Sequence, residues 1–170
     1  MRLFIAILPD ENIRQALADA QDNLRKRNFS GHYAPRHSLH LTLSFIGEFS
    51  DPDRVLEEME QIRFEPFDIT LAGYIGHFDN VLWAGIEKSP ELEKYVKQLR
   101  HVLAENGIPF DRKGFEPHIT LMRDADIFQP FSDIVIAKES MTVQTISLMR
   151  SDLGKHGAQY TEIGSADATD

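Results

Sequence analysis

The chain contains no cysteine, which excludes disulfides, thiolate metal ligands and a cysteine nucleophile together. It also lacks any apolar run near the ~20 residues that a membrane-spanning helix requires. The opening MRLFIAILPDEN has only a short apolar stretch before Pro9 and none of the cleavage-site pattern of a signal peptide. Basic residues are scarce: 18 Lys and Arg stand against 27 Asp and Glu, a net charge of −9. The deficit is spread, with 8 basic against 13 acidic residues in 1–85 and 10 against 14 in 86–170. A protein that grips long nucleic acid by neutralising many phosphates carries a basic face. This balance favours a short terminus or a nucleotide held by a few local cations. There is no glycine-rich phosphate loop, no nucleophile elbow and no linker-like or low-complexity segment. We therefore expect a soluble, cytoplasmic, monomeric protein with no membrane partner. One domain should span 1–163, with a small, acidic, disordered tail at 164–170.

What is present is an ordinary globular pattern of strands and helices. Leu3–Leu8 is apolar on both strand faces and predicts a buried strand. After Asp10, Ile13, Leu17, Ala20 and Leu24 form a helical stripe, with Arg25, Lys26 and Arg27 where cations suit the C-terminal dipole. Asp51-Pro52 and Ser89-Pro90 each pair an N-cap with proline at the first helical position. The helices they open bury Val55, Leu56, Met59 and Ile62, and Leu92, Val96, Leu99 and Leu103, and Asn106-Gly107 stops the second. Further strands are predicted over 39–46, 67–71, 81–86, 118–122, 133–138, 141–148 and 160–163. Many connections are too short for parallel crossovers, so the fold class is α+β with largely antiparallel sheet.

The informative feature is a repeated tetrapeptide. His40-Leu41-Thr42-Leu43 and His118-Ile119-Thr120-Leu121 share one pattern 78 residues apart, about half the chain. With 7 His and 7 Thr in 170 positions, chance supplies roughly 0.3 His-x-Thr matches, so one copy is weak and two are informative. On a strand, residues i and i+2 share a face. His40 and Thr42 therefore point one way, as do His118 and Thr120, while Leu41, Leu43, Ile119 and Leu121 point into the core. If the polar faces meet across a cleft, two imidazoles and two hydroxyls converge. Imidazole titrates near neutrality, so one ring can act as base while the other acts as acid. Opening a cyclic phosphate needs both, and the threonine hydroxyls can donate to the non-bridging oxygens. The residues predict a pair without assigning which member does which.

The contexts Ser38-Leu39-His40-Leu41-Thr42-Leu43 and Phe115-Glu116-Pro117-His118-Ile119-Thr120-Leu121 resemble those of the 2H phosphoesterase superfamily. Arg2-Leu3-Phe4-Ile5-Ala6-Ile7, Phe45-Ile46-Gly47-Glu48 and Arg123 narrow the resemblance to its 2′-5′ RNA ligase-like branch, from about residue 2 to residue 163. The resemblance implies two pseudo-symmetric lobes of largely antiparallel sheet with flanking helices and a central cleft. It implies hydrolysis of RNA 2′,3′-cyclic phosphate termini to 2′-phosphates, with reversible 2′-5′ RNA ligation in some members. It also implies the roles, with His40 as proton donor to the leaving 3′ oxygen and His118 as proton acceptor from water. Glu116 departs from the basic or neutral residue common before Pro-His.

Arg123, five residues past His118, is a candidate phosphate contact through its bidentate fork. Arg36, Arg112, Lys113 and Arg150 are further candidates for lining the cleft, and Trp83, Tyr33, Phe78 and Phe128 for stacking a base, with core packing the better reading of Trp83. His37 and His40 lack the further ligands that zinc requires, so no metal and no cofactor is expected. Expected partners are RNA 3′ ends or small cyclic nucleotides. Competing readings are a binding module that holds an RNA end or nucleotide without cleaving it, and a phosphodiesterase for another cyclic phosphate or a 2′-5′-linked oligonucleotide.

Overall fold

The computed structural model describes residues 1–169, leaving Asp170 outside the described residues. In chain order the elements are β1 (Arg2–Ile7), α1 (Glu11–Lys26), β2 (His32–Tyr33), a 3₁₀ turn (Arg36–Ser38), β3 (Leu41–Glu48), α2 (Pro52–Gln61), β4 (Phe67–Phe78), β5 (Val81–Ile86), α3 (Pro90–Glu105), β6 (His118–Arg123), β7 (Ser140–Val143), β8 (Thr145–Gly154) and β9 (Gly157–Asp167). The helices start where the caps require. Asp10, Asp51 and Ser89 side chains accept from the amides of Ile13, Arg54 and Leu92, satisfying N–H groups that a helix leaves unpaired. Gly107, at φ +66°, follows the end of α3, a conformation glycine adopts without penalty.

The strands form one curled antiparallel sheet in the order β7-β4-β5-β6-β3-β1-β8-β9, with β2 on the flank of β6. The order is symmetric about the β6–β3 seam. On one side β1-α1-β3 and on the other β5-α3-β6 make the same strand–helix–strand unit, which accounts for the repeat in the sequence. The α+β, two-half architecture expected from the sequence is thus present. The expectation of facing lobes takes a more specific form: the two motif strands are side-by-side neighbours in a single sheet. Leu3, Ile5 and Ile7 of β1 join the main core with Ile13, Leu17, Leu24, Met59, Leu92, Leu99 and Leu103 of the three helices. Phe4, Ala6 and Met149 form a small separate cluster on the opposite face. Helices therefore cover one face and leave the other for a site.

Four expectations need correction, the first being the single strand expected over 141–148, which is two: β7 ends at Val143 and pairs with β4, and β8 starts at Thr145 and pairs with β1. Asp133–Lys138 is not a strand. Its alternation is real, with Ile134 and Ile136 buried and Val135 exposed. It lies, however, against β4 where that strand bulges between Leu71 and Ile75, and Ile136 N reaches only Gly73 O. β4 runs on to Phe78 beyond the predicted end at Leu71, because Gly73 and Gly76 mask the strand period without ending it. The tail is not disordered as described: residues 164–167 belong to β9, Ala168 N donates to Gln144 O and Thr169 N to Phe64 O.

Strand β6 carries a bulge that matters for the site. Leu82 pairs with Met122 and Trp83 with Thr120, so Leu121 is an extra residue, and Leu121 and Met122 both enter the core. The displaced Leu121 carbonyl accepts from Ala34 N at 2.9 Å and from Gln21 Nε2 at 2.9 Å, and Gln21 also donates to Ala34 O at 2.8 Å. Gln21, buried on α1, thus replaces the partner that the ladder withholds. Gln21→Met removes both donors at similar volume. We expect it to lower the unfolding free energy by about 1–3 kcal/mol, measured by urea denaturation; an unchanged midpoint would show that the bulge is held without it.

Candidate active site

Leu41 pairs with Ile119, the one residue pair in the β3–β6 ladder. Both point into the core. Alternation then puts His40 opposite Thr120 and Thr42 opposite His118, all four on the helix-free face. The two histidines are diagonal across the seam, about 7–8 Å apart at the backbone, a span suited to one phosphorus atom between their rings. His40 directly precedes β3 and His118 opens β6.

Each imidazole is held in the same way. Nδ1 of His40 donates to Ser38 O at 2.7 Å, and Nδ1 of His118 donates to Glu116 O at 2.7 Å. A carbonyl can only accept, so the bond selects the tautomer with Nδ1–H and leaves Nε2 free, an acceptor when neutral and a donor when protonated. Arg14 fixes the segment before His40 by donating to Pro9 O, Arg36 O and Leu39 O.

The surroundings of the two rings differ. His40 lies 4.9 Å from the ring of Phe4 and 5.0 Å from that of Tyr160. Burial pushes its pKa below the ordinary value, the Ser38 carbonyl opposes this, and the nearby Arg123, His118 and Arg14 depress it further. His118 has Phe78 at 5.2 Å and Trp83 at 5.7 Å. Phe4 on β1 and Trp83 on β5 are 79 residues apart in sequence, so each histidine has an aromatic neighbour at a matching place in its half.

The bulge in β6 also has a counterpart. Ile5 pairs with Ser44 and Ala6 with Thr42, so Leu43 is extra, and Leu43 and Ser44 are both buried. In both halves the residue five past the histidine is turned onto the site face: Phe45, which packs with Phe4 and Ala6, and Arg123. Two contiguous grooves, about 630 and 640 Å³, share His40, Arg123, Ala158 and Tyr160. Thr120 lines one and Thr42 the other. The guanidinium of Arg123 makes no ion pair among the described residues. A larger cavity of about 860 Å³ lies between 63–70 and the start of α3, away from both histidines.

Other candidates scatter. Arg36 pairs with Glu11 at 2.9 Å, and Arg112 lies over the Phe110 ring at 4.5 Å. Lys113 is exposed on the loop before β6. Arg150 lines a groove but is held by Asp152 at 3.0 Å. Tyr33 lines the other groove, whereas Phe128 packs on Phe29 at 5.3 Å. Trp83 packs beside His118 and is only half-buried. Arg2, Lys155, His156 and Tyr160 line the grooves without having been singled out in the sequence. The last three sit on the β8–β9 hairpin, whose return over the site carries no local signal. Among the described residues no cluster of three or more His, Asp or Glu side chains could hold a metal ion, and no helix is long and apolar enough to cross a membrane.

A family model described as the 2′-5′ RNA ligase superfamily matches residues 9–155. The chain belongs to that superfamily. A Thermotoga maritima protein named RNA 2′,3′-cyclic phosphodiesterase is 34% identical over 133 residues, covering 72% of this chain and 70% of the relative. A protein of the same name from Thermus thermophilus is 34% identical over 176 residues, covering 95% of this chain and 87% of the relative. The crystal structure of Escherichia coli LigT without ligand superposes with a TM-score of 0.86 at 27% identity, covering 99% of this chain and 98% of that one; the same protein has also been crystallised with 3′-AMP. The superposition extends over nearly the whole chain, so the curled sheet and its helices are shared with LigT.

The depressed basicity of His40 has a sign that can be checked. As pH falls below about 6.5, the unfolded chain takes up a proton here that the folded chain resists, so this group subtracts from stability. The His40 ring is expected to titrate below the ordinary histidine range by NMR, and to move upward on addition of inorganic phosphate, whose charge favours the imidazolium. A titration unmoved by phosphate would place the anion elsewhere.

Proposed function

We propose that this chain hydrolyses RNA or nucleotide 2′,3′-cyclic phosphate termini to 2′-phosphates, with His40 and His118 as an acid–base pair. The observation that carries the reading is the convergence of His40, Thr42, His118 and Thr120 on one sheet face, each imidazole with Nε2 free. The names of the relatives and the 3′-AMP complex of LigT support the same class of substrate.

In the proposed reaction His118 Nε2 takes a proton from water as the water oxygen bonds to phosphorus. The bond from phosphorus to the ribose 3′ oxygen breaks, and His40 Nε2–H protonates that oxygen. Thr42 and Thr120 donate to the non-bridging oxygens, and Arg123 neutralises the charge that accumulates there. In the free protein burial holds His40 largely neutral near pH 7. The protonated fraction is therefore small, but it is a stronger acid, and a phosphate anion against the ring raises that fraction. Each imidazole is worth roughly 10²–10⁴-fold, enough for a strained ring to open usefully.

Hydrolysis of cytidine 2′,3′-cyclic phosphate should persist in chelator and yield the 2′-phosphate, identified by NMR. Ligand returned unchanged after long incubation would favour the binding-module reading instead. His40→Ala and His118→Ala should each lose roughly 100- to 10,000-fold in kcat. A p-nitrophenyl phosphodiester, whose leaving group needs no proton, should divide the roles: His40→Ala retains most activity on it and His118→Ala does not. The opposite pattern would exchange the two assignments. Arg123→Met should raise KM about ten-fold, in line with the loss of a charge-assisted contact; an unchanged KM would remove Arg123 from the phosphate site.

A further inference from the structure

We infer that the cavity at the start of α3 is a second binding site, and that it takes a nucleoside monophosphate with the phosphate against the helix N-terminus. The inference is independent of the cyclic-phosphate reading, because no residue lining this cavity lines either groove beside the histidines.

The cavity is a gap beside the sheet. β5 ends at Ile86 opposite Leu71, and Glu87 N closes the ladder by donating to Thr70 O at 2.8 Å. The chain then leaves through Lys88 into α3. Phe67–Thr70 therefore faces the first turn of that helix across about 860 Å³, a volume in the range of small-molecule pockets. Three buried rings line it: Phe64 lies 5.1 Å from Tyr95 and 6.1 Å from Phe67, centroid to centroid. Tyr95 is only 2% exposed, yet its hydroxyl has no partner. Helical side chains lean toward the helix N-terminus, which turns this phenol toward the cavity that it lines. Burial also raises its pKa, so it stays a donor. A buried donor without a partner is destabilising, and a ligand oxygen removes that cost.

The charges around the cavity select the ligand. Arg63, Lys88 and Lys94 line it and make no ion pair among the described residues. They stand beside a helix start where Leu92 N and Glu93 N are taken by Ser89. Pro90 has no N–H, which leaves Glu91 N at the open turn. Cations and a helix N-terminus together suit a dianionic phosphate. The wall also carries carboxylates. Glu87 pairs with Lys138 at 3.5 Å, Glu91 accepts from Ser89 Oγ at 3.5 Å, and Asp68 accepts from Thr142 Oγ1 at 2.6 Å. Glu65 has no ion-pair partner among the described residues. Inorganic phosphate offers these groups nothing. A nucleobase presents N–H donors to carboxylates and a planar surface to aromatic rings. A nucleotide is therefore the class that engages the cations, the carboxylates and the phenol together.

Guanosine 5′-monophosphate, titrated into the full chain and followed by amide NMR, should shift Glu91 and Leu92 saturably. Guanosine and inorganic phosphate, each carrying one part of that ligand, should bind there about ten-fold more weakly or worse. The double variant Lys88→Met, Lys94→Met should weaken the nucleotide about ten-fold at α3 and leave turnover of cytidine 2′,3′-cyclic phosphate unchanged. Tyr95→Phe removes only the hydroxyl. It should weaken the nucleotide about five-fold while the free protein melts no lower than before; a tyrosine that serves packing alone would leave affinity unmoved. Shifts confined to the histidine grooves, phosphate alone binding as tightly as the nucleotide, or unaltered affinity in either variant would each overturn the site. Lost turnover in the lysine variant would overturn its separateness from the histidines. Failure of the wild-type chain to hydrolyse the cyclic phosphate would overturn the function proposed above and leave this site to be judged on its titration.

Discussion

One ladder pair, Leu41 with Ile119, sets the arrangement on which the rest depends. It joins two similar strand–helix–strand halves and fixes a register in which both apolar residues enter the core. In a strand the opposite face is then decided. A slip of one residue in either strand would carry its imidazole to the helix-covered face. The register is protected by its surroundings, since Leu41, Leu43, Ile119, Leu121 and Met122 are all essentially inaccessible to solvent, and exposing even one such side chain costs about 1.5–3 kcal/mol.

Paired bulges extend the same logic. Strict alternation would place the residue five past each histidine on the core face. An extra residue at Leu43 and another at Leu121 reverse this, delivering Phe45 on one side and Arg123 on the other. The backbone device is shared, and the side chains delivered differ, an aromatic ring in one half and a cation in the other. A nearly symmetric scaffold thereby acquires a direction. Burial adds to it, sealing His40 between Phe4 and Tyr160 while His118 borders an open aromatic strip. Two chemically identical groups thus stand in unequal environments.

Much of this was legible beforehand for identifiable reasons. Helix starts were readable because Asp51-Pro52 and Ser89-Pro90 act locally, through one side chain and one amide. The histidines and threonines were readable because period two is a local property and the motif occurs twice. The strand expected at 133–138 failed because its alternation describes burial truly, whereas a strand also needs an unbroken partner, and β4 is bulged there. The tail was misjudged for the converse reason: Gly164 to Asp167 lacks apolar residues except Ala166, yet β8 supplies the ladder.

By itself, then, the sequence determined the element types, the two histidine–threonine pairs, the likeness of the halves and the chemistry that imidazoles can perform, all of which follow from interactions within a few residues. Tertiary structure alone decided that the pairs lie side by side in one sheet, that Arg123 reaches their face, that burial makes His40 less basic than an ordinary imidazole, and that β9 brings Tyr160 over the site. Those outcomes depend on strand pairing between segments far apart in the chain, where a single extra residue reverses the direction of a side chain and no local pattern records it.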